Sequence, residues 1–477
     1  MNRDGIAVTI ERTDMNASRR EFLRWLGLGA ATAALPGCAT AQFGARRRKP
    51  NIVFILIDDM GYSDLPCYGH RFHETPVIDR LAEEGMRFTD AYAACPVCSP
   101  TRASLLSGQY PARVGVIDFI PGHWRPYEKL RVPSNRTQYL PLEIVTLAET
   151  LKTQGYVSAM IGKWHLGGKD HTPEKQGFDF VRQGGANRND KRVTALTDNA
   201  IEFVEQNQNK PFFLYLSHHS VHIPLEAPQE LVEKYENKPK PAGGVNNATY
   251  AAMVEHLDRN TGRLLAKIDE LDLEDETIVV FYSDNGGLRQ MFTGKGPIVT
   301  TNAPLRDEKG TLYEGGIREP LIVRWPGVVK PGSTCGTAVT SVDFYPTLSE
   351  IAGAPRPSGQ ALDGRSLLPL LRGKKRFDDR ALFWHYPVYH HSSPASAVRQ
   401  GDWKLIEFFE DGALELYNLR DDIGERNNLA ARMPEKTREL HRKLAAWRQS
   451  VNAAMPQPNP DFDPDRRYEW GRHPDRR

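Results

Sequence analysis

Residues 51–57, NIVFILI, are an almost unbroken apolar run of strand length. A strand with one wet face alternates polar and apolar side chains. A run like this one needs cover on both faces, which is the condition of a central strand in a parallel sheet. The rest of the chain supplies that cover. TPVIDRLAEEGMRF (75–88), with Thr75 as N-cap and Pro76 at the first helical position, reads as a helix. So do LEIVTLAETLKTQGY (142–156), stopped by Gly155, and TYAAMVEHLDRNTGRLLAKIDEL (249–271). Between them YVSAMIG (156–162), KPFFLYLS (210–217) and ETIVVFYS (276–283) read as strands, and EPLIVRWPG (319–327) followed by VDFYPTLSEIAG (342–353) continues the alternation. Strand and helix in turn predict an α/β fold with a large, mostly parallel central sheet flanked by helices.

After RSLLPLLRGKKRFDDR (365–380) the texture changes. RALFWHYPVY, VRQGDWKLIEFF and LELYNL follow one another closely, with turn residues between them. They predict a smaller antiparallel sheet, closed by the helix PEKTRELHRKLAAWRQSVNA (434–453). The Pro-rich, charged tail PQPNPDFDPDRRYEWGRHPDRR is expected to be partly mobile. In 477 residues this makes three parts: 1–47, a leader and linker; 48–375, the large domain that carries the chemistry below; and 376–477, a smaller C-terminal subdomain with its tail. Lysines and arginines number 62 against 60 acids, so the formal charge of +2 argues against a nucleic-acid partner. The run RRRKP (46–50) reads as a solvated linker.

The amino terminus has its own logic. SRREFLRWLGLGAATAALPGCAT (18–40) carries Arg19-Arg20 ahead of Phe22-Leu23, then an apolar, small-residue stretch. That stretch is too short for a bilayer, which needs about 20 residues. It reads as an export signal of the twin-arginine type and predicts an exported protein of the periplasm or cell envelope. LPGC (35–38) is also similar to a lipoprotein processing site. Two expectations therefore stand together, a signal that is simply cleaved and a Cys38 that carries a lipid tether.

ACPVCSPTRASLLSG (94–108) sets Cys95 and Cys98 three apart. Such a pair can be a redox couple, half of a zinc site, a nucleophile beside a bystander, or two unrelated thiols. With Cys67 and Cys335 the mature chain has too few and too scattered cysteines for a disulfide scaffold. No second close Cys or His pair stands at finger-like spacing, which argues against zinc.

Polar groups gather at the carboxyl ends of the predicted strands, where open α/β sheets bind ligands. The first strand ends in Asp58-Asp59, and 156–162 runs into Lys163, Trp164 and His165. Residues 210–217 run into His218, His219 and His222, and 276–283 into Asp284-Asn285-Gly286-Gly287. One aspartate after a strand is ordinarily a turn former. Acids at equivalent ends of separate strands crowd like charge, which a cation relieves. Carboxylate and amide oxygens are hard donors that suit calcium or magnesium rather than zinc or copper. Arg102, Lys163 and Lys309, the last in LRDEKGTLYEGG (305–316), add positive charge. Any one of them alone reads as a solvated surface residue. A metal and several cations aimed at one point describe a site for sulfate or phosphate.

These blocks together resemble the type I sulfatases of the alkaline phosphatase superfamily. CSPTRASLLSG (98–108) is similar to the family signature Cys-x-Pro-Ser/Thr-Arg, which directs oxidation of its cysteine to formylglycine. The strand with Asp58-Asp59, GKWHLG (162–167), SDNGG (283–287) and KGTLYEGGIREP (309–320) follow in the family's order. DFYPTL (343–348) and GDWKLI (401–406) extend the likeness toward the C-terminus. The resemblance implies the alkaline-phosphatase-like α/β sandwich and a formylglycine-dependent sulfatase. It implies that a formylglycine-generating enzyme modifies Cys98 before export, and that the hydrated aldehyde attacks sulfur. Asp58, Asp59, Asp284, Asn285 and the modified residue 98 would hold calcium, or the similar hard ion magnesium. Arg102 would steady the diol and Lys163 and Lys309 would bind sulfate oxygens. His222, in VHIP, would protonate the leaving alcohol, and His165 would take a proton from the diol. Cys95 would be a small packed bystander.

The chain departs from the family pattern at two places. Asp307 and Glu308 precede Lys309 and are expected to point outward, and Glu319 puts an acid where many relatives have an apolar residue. The expected substrate is a sulfated carbohydrate, from the export signal and from the polar loops 122–136 and 385–396. One rival reading is a phosphate mono- or diester or phosphonate hydrolase of the same superfamily. Another is a non-catalytic carbohydrate-binding protein in which Cys98 stays a thiol.

Overall fold

The computed structural model describes residues 48–122, 124–133, 136–183, 189–290, 296–374, 377 and 379–471, so the expectations for residues 1–47, Cys38 among them, lie outside the described residues. Strand β1 (Asn51–Ile57) is buried along its whole length. Its side chains divide by parity: Ile52, Phe54 and Leu56 enter one hydrophobic core, and Val53, Ile55 and Ile57 enter the other. That two-sided burial is what the apolar run demands.

Among the described residues the main sheet has nine strands. They are β1, β2 (Met86–Tyr92), β4 (Val157–Gly162), β5 (Phe180–Arg182), β6 (Phe212–Ser217), β7 (Thr277–Ser283), β8 (Arg318–Arg324), β9 (Ser333–Cys335) and β10 (Val339–Thr340). Their order is β10-β2-β8-β7-β1-β6-β4-β5, with β9 on β2. All the pairings are parallel except those of β8, which runs against both neighbours. The run β7-β1-β6-β4 is therefore four adjacent parallel strands whose carboxyl ends share one edge.

Two helix boundaries differ from the sequence reading. The helix predicted over 75–88 stops at Glu84, and Met86–Phe88 begin β2. Gly85 is extended, and a Cβ there would lie 2.6 Å from the Val323 carbonyl, so no side chain fits where β2 turns in beside β8. The helix predicted from 142 begins at Leu147, where Thr146 and Glu149 form a reciprocal capping box.

Strands β11 (Ala381–Tyr386), β12 (Ala395–Gln400), β13 (Trp403–Phe408) and β14 (Leu414–Asn418) form an antiparallel meander. Leu440, Leu444 and Trp447 of the Pro434–Ser450 helix pack on one face of it with Val398, Leu405 and Leu416. Its other face packs through Trp384, Ala397 and Ile406 against Tyr92, Val97, Leu312 and Ile317 of the larger layer. The tail is more ordered than its composition implies. β15 (Gln457–Pro458) pairs antiparallel with β3 (Leu130–Arg131).

A buried ion cluster joins the two sheets. Lys404 on β13, fully buried, lies 2.9 Å from Glu314 and 2.8 Å from Glu425. Burial alone would raise both acids. Lys404 and Arg318 hold Glu314 down at about 2, whereas burial, opposed by Lys404 and reinforced by the Glu314 charge, pushes Glu425 up to about 7. One ammonium cannot keep two buried carboxylates ionised equally. Unfolded, Glu425 titrates near 4.5, so its contribution is full below that pH and fades as pH rises through about 7. Urea unfolding at pH 5 and pH 8 is expected to show the parent losing more stability with rising pH than Glu425→Gln. Equal pH slopes would refute this assignment.

Candidate active site

The four adjacent strand ends deliver their polar groups to one place. Asp58 and Asp59 leave β1, Lys163 and His165 leave β4, His222 follows β6, and Asp284 and Asn285 leave β7. Cys98 opens the Cys98–Ser107 helix, all ten residues of which are buried. Arg102 stands one turn further on the same helix face.

Arg102 has no exposed surface. Its Nε and Nη2 donate to Asp284 Oδ2 at 2.9 and 2.7 Å, and its Nη1 donates to the Lys163 carbonyl at 2.9 Å and to Ser217 Oγ. Ser217 Oγ also donates to the Lys163 carbonyl, at 2.8 Å. The guanidinium thus ties together the ends of β4, β6 and β7. Its hydrogen bonds within the protein all go to the strand ends. Ser217 was missed by the sequence reading. The available signal was that both β6 and β7 close on serine, and Ser283 likewise turns inward to accept from the Met60 amide.

The lysines lie on the carboxylates. Lys163 Nζ is 2.6 Å from Asp58 Oδ2, and Lys309 Nζ is 2.6 and 2.8 Å from the two oxygens of Asp59. Asn285 Nδ2 donates to Asp59 Oδ1 at 2.7 Å. Burial works against charge on Asp58, but Lys163, His222 and Arg102 bring its carboxyl well below the usual range. Burial and the Asp58 charge push Asp284 far the other way, in spite of Arg102.

This imbalance marks a place for further positive charge. Oxygens of Asp58 and Asp284 and the Cys98 sulfur lie within 4.8 Å of one another, as do ligand atoms of Asp58, Asp59 and His222. Asp58 Oδ1 and Asn285 Oδ1 are buried with no hydrogen-bond donor. Two orphaned oxygens in a buried acidic cluster are the donor set of a hard divalent ion, so these residues fit the calcium that the resemblance implies.

Both histidines have one nitrogen anchored. His165 Nε2 lies 2.5 Å from the Ile120 carbonyl, which can only accept, so this nitrogen carries the proton and the buried Nδ1 keeps its lone pair. Burial, with Lys163 and Arg102, pushes His165 down to about 3, which keeps it a neutral base. His222 Nδ1 donates to the Ile223 carbonyl at 2.5 Å and leaves Nε2 3.6 Å from Asp59. His218 is buried, and His219 lines a hollow with Lys191, Arg192 and Glu226, near enough to the cluster for His219 and Lys191 to feel the Asp58 and Lys163 charges. Asp59 and His165 hold φ of 64° and 57°, a left-handed backbone that non-glycine residues rarely adopt.

One expectation beside Lys309 changes. Asp307 is exposed, as expected, but Glu308 is buried, and its Oε2 accepts the Arg289 and Gln290 amides at 2.6 and 3.0 Å. Those bonds point its charge away from Lys309. Glu319 is fully buried, and neither carboxyl oxygen has a hydrogen-bond partner. Burial and the nearby Asp284 and Asp59 charges push it far above the carboxylate range, so it is a neutral acid behind the site. Cys95 is packed in the apolar layer, and the described cysteines are all free thiols.

Comparison with known proteins agrees with this geometry. The family model described as Sulfatase matches residues 50–354, and one described as N-sulphoglucosamine sulphohydrolase, C-terminal, matches 307–450. The chain is 34% identical to a sulfatase of Formosa agariphila, over 92% of this chain and 96% of that protein. It is also 34% identical to arylsulfatase A of Homo sapiens, over 83% of this chain and 86% of that one. Among solved structures, Ps i-CgsB in complex with k-i-k-neocarrahexaose aligns with a TM-score of 0.73 at 27% identity, over 87% of this chain and 95% of that one.

Removing Arg102 leaves Asp284 buried without its partner, a loss of about 3–5 kcal/mol. Arg102→Met is expected to unfold at correspondingly lower urea. Arg102→Lys is expected to fall short of rescue, because an ammonium cannot span three strand ends. Parent-like denaturation of either variant would refute the strut assignment.

Proposed function

The chain belongs to the sulfatase family and is a sulfuric ester hydrolase, and from that premise we propose that it removes sulfate from a sulfated glycan with a formylglycine made from Cys98 and a calcium ion held by Asp58, Asp59, Asp284, Asn285 and residue 98. The observation that carries the proposal is the convergence of Asp58, Asp284 and Cys98 within 4.8 Å, with Asp58 Oδ1 and Asn285 Oδ1 unsatisfied. A thiol alone has no use for that donor set. When present, the aldehyde hydrate supplies an oxygen nucleophile and the ion supplies positive charge beside it.

The chain's own side chains account for the remaining work. With a divalent ion bound to ionise Asp284, the three carboxylates of Asp58, Asp59 and Asp284 would balance Arg102, Lys163 and Lys309, and the centre would be net positive and attractive to an oxyanion. Lys163 and Lys309 reach in from opposite flanks and would bind sulfate oxygens as charge develops. His222, held at Nδ1 by the Ile223 carbonyl, would deliver a proton to the leaving alcohol from Nε2 once its ring is cationic, a state that Asp59, 3.6 Å away, favours against burial. His165, fixed at Nε2, has Nδ1 free to accept one.

The glycan reading draws support from the structural relative solved with a neocarrahexaose, and from the loops around 124–131 and 387–393 that border the Lys309 side. We also propose that residues 1–47 export the protein by the twin-arginine route to the periplasm or cell envelope, with lipidated Cys38 as an optional tether.

Three measurements test the core of the proposal. Mass spectrometry of the peptide spanning 94–113, from protein made in its native host, is expected to show an aldehyde or its hydrate at residue 98; an unmodified thiol there would sink the formylglycine reading. Chelation is expected to abolish turnover and calcium to restore it. Paired sulfate and phosphate esters are expected to favour sulfate, and a preference for phosphate would move the enzyme to the phosphatase side of the superfamily.

A further inference from the structure

Two loops lead outward from the catalytic groups, and the C-terminal tail fastens the first, which is bonded to the second. The first contains Ile120, whose carbonyl holds His165 Nε2 and whose amide donates to Ser99 Oγ beside Cys98, at 3.0 Å. It continues through Trp124, Arg125 and Tyr127 to β3. The second contains His390 and His391, and His391 Nδ1 lies 2.8 Å from the carbonyl of Lys309. Gly310 lies directly under it: a Cβ there would sit 1.8 Å from His390 Nδ1. Arg125 Nη2 joins the loops by donating to the His390 carbonyl at 3.0 Å.

The tail covers this junction. β15 pairs with β3, Asn459 Nδ2 donates to the carbonyls of Pro126 and Glu128 at 2.7 and 2.8 Å, and the Gly471 amide donates to the Trp124 carbonyl at 3.0 Å. Over the junction, Trp470 stacks on the Arg125 guanidinium at 4.2 Å from the ring centroid, and the Tyr468 ring lies 6.0 Å from the same group. Arg466 stacks on Tyr127 at 3.6 Å. Tyr468 is 70% exposed, the most open large apolar side chain among the described residues, and Trp470 is 42% exposed. The arginines are already matched with acids, Arg125 and Arg467 with Glu128, Arg467 with Glu410 and Arg466 with Glu469. What this surface offers a ligand is therefore aromatic faces rather than net charge.

Resting on the glycan reading above, we propose that Tyr468 and Trp470 form a stacking platform for the pyranose rings of a sulfated oligosaccharide beyond the residue that loses its sulfate. Exposed aromatic rings of this kind mark binding surfaces. Their position at the outer end of two loops, each of which holds a catalytic group at its inner end, suits the part of a glycan that projects from the site. The C-terminal family model ends at residue 450, so this platform lies beyond the residues that model matches.

The test compares the parent with Tyr468→Ala, Trp470→Ala and Trp470→Phe on a ladder of sulfated carrageenan and chondroitin di-, tetra- and hexasaccharides, with 4-nitrophenyl sulfate as the small substrate. Truncation of an aromatic anchor is expected to raise KM for the longer oligosaccharides by about tenfold. It should leave kcat and all 4-nitrophenyl sulfate constants unchanged, and Trp470→Phe should recover most of the loss. Tyr468, being the more exposed, tests the platform even where Trp470→Ala weakens the fold. Unchanged KM across the ladder would overturn the platform and leave the glycan reading standing. A parallel rise in KM for 4-nitrophenyl sulfate would also overturn it, by making the tail a brace for the loops. A parent that desulfates no member of the ladder would overturn both.

Discussion

The rest of the site depends on one buried guanidinium. Arg102 lies where the Cys98–Ser107 helix meets the sheet, and its donors fall on Asp284, the Lys163 carbonyl and Ser217. A buried cation without such partners would be intolerable, and three strand ends with inward polar groups would be equally so. Each makes the other possible. Because Cys98 is one turn earlier on the same helix, the bonds that satisfy Arg102 also fix the distance from residue 98 to the carboxylates of β1 and β7.

Strain accompanies this arrangement. Asp59 and His165 are both left-handed, and each is the residue that must turn a side chain back over the sheet edge within a few positions of a strand end. An extended continuation would send alternate side chains to opposite faces. The sharp reversal at Asp59 lets Asp58 and Asp59, neighbours in sequence, serve one centre together. Such outliers persist only where the surroundings hold them, and here Asn285, Lys309 and the Ile120 carbonyl do so.

Much of the framework is legible in the residues. β1 announces two-sided burial through its unbroken run, and the acids after β1 and β7 announce a crowded cluster of like charge through their number. The failures have physical causes. Met86–Phe88 continue an apolar period that suits helix or strand, and the Gly85 contact with β8 that decides between them is a long-range one. Glu308 reads as a solvated acid because the amides of Arg289 and Gln290 that capture it come from another loop. The strand-end partners of Arg102 are not legible because they sit on three separate strands. The tail reads as loose because proline and charge dominate its composition, while its anchors are long-range contacts to residues 124–131 and Glu410.

The small sheet braces the candidate site and is not an appendage. The segment that carries Lys309 is gripped on both sides by C-terminal residues. Arg306 donates to the Tyr417 hydroxyl and to the Glu425 carbonyl, Tyr313 donates to Glu415, the Glu314 amide donates to Glu425, and Lys404 pairs with the Glu314 carboxylate. Lys309 itself meets His391 through its carbonyl. A lysine is a flexible point charge, and its use in holding an oxyanion depends on a fixed backbone beneath it. Here β13, β14 and the loop after β11 supply that backbone support. The late part of the chain therefore sets the position of a charge whose partners, Asp59 and Asn285, follow β1 and β7.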